Sequence, residues 1–119
     1  MRRTLTIATT VLVAALSLTA CSDDTSSGSS RGSGMTIDIT IKDGKVTPNG
    51  DRVTAEVGRP VTLKIDADVA GEIHVHSSPE QEFEFDQGTS TKKLTIEKPG
   101  IVDVEDHELD QVIVQLQVS

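Results

Sequence analysis

The chain has 119 residues and a formal net charge of −8, with 19 acidic against 11 basic side chains, no Trp or Tyr, and two Phe. That length leaves room for one core once an N-terminal segment is set aside, and the acidic balance excludes a phosphate-neutralising surface, so nucleic acid is not an expected partner. With Phe83 and Phe85 as the only aromatic bulk, the core must come from Val, Ile and Leu, which favour strands, and the single Cys21 has no partner for an internal disulfide.

Met1-Arg2-Arg3 is a short positive start, and Leu5 to Leu18 is an uncharged run of fourteen apolar, Thr and Ser residues. A stable membrane span needs ~20 apolar residues, so this run reads as part of a secretory signal and not as an anchor. It ends in Leu18-Thr19-Ala20-Cys21, which resembles the lipobox of bacterial lipoprotein precursors. The resemblance implies a signal peptide over residues 1–20, a diacylglyceryl thioether on Cys21, and an acyl chain such as palmitate on its amine. Lipid would then hold the protein at the extracytoplasmic face of the cell membrane. Without Arg2 and Arg3, nine basic residues would face 19 acidic ones. Residues 21–34 carry that cysteine and then Ser, Gly, Asp, one Thr and one Arg, a composition that cannot bury apolar surface. They read as a tether that lets the domain range ~20 Å from the membrane.

Residues 35–119 form the expected folded domain. Ile37, Ile39 and Ile41 alternate with polar residues, as a half-buried strand requires. Lys42-Asp43-Gly44-Lys45 follows, and Asp-Gly between apolar runs is a strong hairpin signal, because both central residues of the favoured turn need positive φ. Pro48-Asn49-Gly50 marks another turn, Val53, Ala55 and Val57 alternate again, and Gly58-Arg59-Pro60 leads into Val61, Leu63 and Ile65. Asp66 to Gly71 reads as a loop before the short strand Ile73 to His76, which Ser77-Ser78-Pro79 interrupts. Strands are further expected around Phe83 and Phe85, from Gly88 to Ile96, around Val102 and Val104, and from Val112 to Val118. About eight short strands at this spacing predict an all-β fold, an antiparallel β-sandwich with Greek-key connections.

Three side chains stand apart from a generic sandwich: His74, His76 and His107. Strand positions i and i+2 share a face with Cα atoms ~6.5 Å apart, so His74 and His76 can converge on one ion. Asp103, Glu105, Asp106 or Glu108 could add an oxygen donor or orient a ring through its second nitrogen. Parity also allows a plainer outcome, since Ile73 and Val75 must face the core and leave Glu72, His74 and His76 as ordinary solvent-facing groups. Convergence with His107 requires a bend near Ser77-Ser78-Pro79 and a loop over Asp106 to Asp110. Ser77 and Ser78 lack the strand-to-helix elbow of a nucleophile, no catalytic residue is singled out, and the chain is not expected to be an enzyme.

Gly71-Glu72-Ile73-His74-Val75-His76, together with Gly100 to Val118 and its late histidine, resembles the cupredoxin-like domains of bacterial secreted proteins, a likeness that covers about Met35 to Ser119. In that family one histidine ends a middle strand, while a Cys, a second His and usually a Met come from the loop joining the last two strands. On that pattern His76, with His74 nearby, matches the first ligand and His107 the second. Val104 stands where the Cys would be, three residues before His107, and Leu109 where the Met would be, so a blue-copper centre is excluded for the native chain. If His76 and His107 converge, Cys and Met placed at those two positions are expected to give a blue or green copper site. Two functions follow as expectations. One is a module that binds copper or zinc through His74, His76 and His107; the other is a metal-free cupredoxin-like scaffold that docks a protein partner at the cell surface.

Overall fold

The computed structural model describes residues 34–119, so the expected signal, Cys21 and all of the tether but Gly34 lie outside the described residues. The described part contains nine strands: β1 (Met35–Lys42), β2 (Lys45–Thr47), β3 (Asp51–Ala55), β4 (Pro60–Ala67), β5 (Gly71–Val75), β6 (Gln81–Phe85), β7 (Gly88–Thr95), β8 (Gly100–Asp106) and β9 (Gln111–Val118). They make a four-stranded sheet in the order β2-β1-β4-β7 and a five-stranded sheet in the order β3-β9-β8-β5-β6.

The alternation expected of β1 is met, with Ile37, Ile39 and Ile41 all buried. Asp43 and Gly44 take φ of 53° and 68°, and β1 and β2 pair antiparallel with Lys42 opposite Lys45, as the Asp-Gly signal requires. The extra strand relative to the expected eight is β2, whose single core residue is Val46. Most neighbouring strands run antiparallel, but β1 pairs with β4 and β3 with β9 in parallel. The first of these sets Ile37 beside Leu63 and Ile39 beside Ile65, so one row of branched side chains crosses both strands.

Two details depart from simple alternation. β3 stops at Ala55, which leaves Val57 exposed in the turn that follows. In β9 a bulge places Val114 opposite Val104 but Val112 opposite Glu105, leaving Ile113 as the extra residue. Ile113 and Val114 are therefore both buried, while Val112, expected to point inward, is only half-buried. The bulge lies in β9, so the parity of β8 is unbroken: Val102, Val104 and Asp106 point inward and Asp103 and Glu105 outward.

Phe85 on the edge strand β6 lies over Gly71, its partner on β5. A Cβ at Gly71 would stand 2.8 Å from the ring's Cζ, and that ring is itself buried. Gly71→Ala should therefore force a buried aromatic to move and lower unfolding stability by about 1–3 kcal/mol, measurable as a reduced urea midpoint.

Candidate metal centre

The histidine strand is positioned by its apolar residues. Ile73 and Val75 are fully buried between the sheets, so Glu72, His74 and His76 project from the outer face of the five-stranded sheet. Register decides what meets them there: His74 stands opposite Glu82 on β6 and Glu105 on β8. The His76 amide donates to the Asp103 carbonyl at 2.9 Å, and the His107 amide donates to the Glu72 carbonyl at 2.9 Å, which continues the β5–β8 ladder at both ends. Those two rungs are four residues apart along the strands, or ~13 Å of rise.

His74 and His76 converge. Their ring centroids are 4.5 Å apart with planes tilted by 35°. The link from β5 to β6 folds back under its own hydrogen bonds, Ser77 Oγ donating to the Pro79 carbonyl at 2.6 Å and Gln81 Nε2 to Ser77 Oγ at 3.0 Å. This turn delivers Glu80 between the two rings, with Oε2 at 3.2 Å from His74 Nε2 and Oε1 at 3.8 Å from His76 Nδ1. Glu105 Oε2 meets the other nitrogen of His76, Nε2, at 2.9 Å. Glu105 thus occupies Nε2 of His76, and Nδ1 is the nitrogen turned toward Glu80. Glu82 Oε1 lies 3.8 Å from His74 Nε2.

His74, His76 and Glu80 can each offer a donor atom within 4.8 Å of the others, and among the described residues this is the group of three that could hold an ion. Around a tetrahedral ion with bonds of about 2.0–2.1 Å, neighbouring donors are spaced by about 3.3–3.4 Å. The contacts of 3.2 and 3.8 Å are to the two different oxygens of Glu80, and with one donor per residue the three lie within 4.8 Å, so closing on one ion draws the side chains inward. Glu105 then stands as the carboxylate that orients a ligating ring from its far nitrogen. The sequence singled out both histidines and weighed Glu105, but it missed Glu80, because the value of a turn carboxylate depends on where the hairpin returns it.

No protein-family model matches the sequence, and no curated protein does. Solved structures do match. A variant of amicyanin in its Cu(I) form superposes with a TM-score of 0.52 at 14% identity, over 71% of this chain and 82% of that one. An oxidised amicyanin variant gives 0.52 at 14% identity, over 70% and 81%. Reduced auracyanin from Roseiflexus castenholzii gives 0.52 at 11% identity, over 74% and 99%. The fold is cupredoxin-like.

Within that frame the residues matched to the family's pattern do not all gather in one group. His107 does not join the group: its ring stands edge-on to His74 at 6.2 Å, and His76 lies at the opposite end of β5 from the His107–Asp110 turn. The expected convergence of His76 with His107 is therefore absent. The chain around Ser77-Ser78-Pro79 turns back toward β6 instead of bending His76 toward that turn. The remaining carboxylates have other tasks. Asp106, almost fully buried, accepts the Leu109 amide at 2.8 Å and closes the β8–β9 turn; Asp103 accepts from Gln115 Nε2 at 3.0 Å; Glu108 is exposed in the turn. Val104 points into the core beside Val75, on the face of the sheet opposite to His74 and His76.

That placement reverses the expectation for a restored thiolate. The Val104→Cys, Leu109→Met double variant should remain without an intense visible band when given Cu(II), because its thiol would be on the wrong side of β8 from the imidazoles. A blue or green product would show that the histidines reach the core side after all.

Proposed function

We propose that the chain is an extracytoplasmic lipoprotein, anchored by lipid on Cys21, whose cupredoxin-like domain binds a divalent copper or zinc ion through His74, His76 and Glu80. The observation that supports this most is the mutual approach of three ligating side chains on one sheet face, with Glu105 holding the second nitrogen of His76. Exposed His–carboxylate pairs contribute about 0–1 kcal/mol each, so stability alone is a weak reason to gather three carboxylates around two rings. A divalent cation offsets their mutual repulsion, and imidazole with carboxylate is a donor set that both ions accept, copper the more tightly.

In this reading His74 supplies Nε2, His76 supplies Nδ1, and Glu80 supplies an oxygen from the turn. Glu105 fixes the ring of His76 and is a positioning residue. In this reading the domain acts as a binding module, its candidate donors standing on the outer face of the sheet. Electron transfer of the blue-copper kind has no thiolate to draw on, because residues 34–119 contain no cysteine.

Calorimetric titration should find one Cu(II) or Zn(II) per chain. His74→Ala, His76→Ala and Glu80→Ala should each weaken binding at least about tenfold, and Glu105→Gln should do so by a comparable or smaller factor. His107→Ala should leave affinity unchanged. Wild type binding no better than the His74→Ala and His76→Ala variants would end the metal reading and favour the metal-free scaffold. For the anchor, a Cys21→Ser precursor should lose lipid labelling and leave the membrane fraction; unchanged membrane association would contradict it.

A further inference from the structure

We infer that the ion is exchanged directly with an imidazole-bearing carrier, the incoming donor binding before the protein's own donors let go; this rests on the metal reading above. All three donors come from one side, His74 from β5 and His76 and Glu80 from the link that follows it, so the remaining positions of an ion held there would face solvent. Structural zinc sites close with four protein ligands, whereas sites with three keep a position open for another group. Exposure follows the same order: the side chain of His74 is 18% exposed, that of His76 40%, and that of Glu80 61%. Glu80 is thus the donor most readily displaced. As the bond from the ion to an incoming imidazole nitrogen forms, the bond to the Glu80 oxygen breaks and its electron pair returns to the carboxylate. The ion stays divalent throughout, so no oxidant or reductant is needed.

Charge selects the kind of carrier. Glu80, Glu82 and Glu105 all lie within 3.8 Å of an imidazole nitrogen, and together they exceed the charge of a divalent ion by one. An anionic, carboxylate-rich acceptor is repelled by this rim, while a neutral imidazole is not. Imidazole is also a donor that suits both copper and zinc.

The test uses the purified full chain loaded with one equivalent of Cu(II) and mixed in a stopped-flow instrument with excess free L-histidine, which is net neutral near pH 7. The transfer rate should rise about tenfold over a tenfold range of histidine, as a bimolecular step demands. A rate independent of histidine, with stoichiometric and His74-dependent binding intact, would overturn direct exchange and leave the metal site standing. Absence of stoichiometric binding, or binding indifferent to His74→Ala, would overturn both. With nitrilotriacetate as the acceptor, transfer should be slow at low salt and faster as salt rises. Glu82→Gln, which retains all three donors, should narrow the gap between the two acceptors. An unchanged gap would overturn the charge selection.

Discussion

The parity of β5 is the constraint on which the site depends. Ile73 and Val75 are fully buried, and each contributes roughly 1.5–3 kcal/mol by leaving water, against about 0–1 kcal/mol for an exposed His–carboxylate pair. The core therefore decides the register, and His74 and His76 face outward as its consequence. A slip of one residue would bury two imidazoles and expose two branched side chains, which is why the outer face is fixed so firmly. The core residues set the outward direction of the histidines, and the carboxylates of Glu80 and Glu105 meet their rings on that face.

The same constraint sets the candidate donors on the outer face of the five-stranded sheet, away from Val104. The end of β8 and the turn after it, where the family pattern would gather ligands, are given over to structure: Val104 fills the core, and the buried carboxylate of Asp106 accepts the Leu109 amide. What the domain has instead is a hairpin, β5 to β6, whose five-residue link returns a glutamate onto the strand it has just left. A shared architecture does not fix where ligands stand, since a fold positions a site without prescribing it.

Local signals in the sequence were the ones that could be read. Alternation in Ile37, Ile39 and Ile41, the Asp43-Gly44 turn and the outward parity of His74 and His76 each depend on a few adjacent residues. The parallel pairing of β1 with β4 was not legible, because it joins strands separated by two others. Nor was the bulge in β9, where Val112-Ile113-Val114 is apolar in either phase and only the partner strand shows which residue is extra. The grouping of His107 with His76 failed for a related reason. Spacing along the chain says nothing of cross-strand register, and that register sets the two histidines four rungs apart with His74 between them.

X-ray absorption at the zinc edge of the zinc-loaded protein tests the central claim most directly, since it counts the imidazoles around the ion. The account predicts two imidazole ligands with Zn–N near 2.0–2.1 Å and at least one oxygen donor at a similar distance. A site with a single imidazole, or one with three that enlists His107, would contradict it.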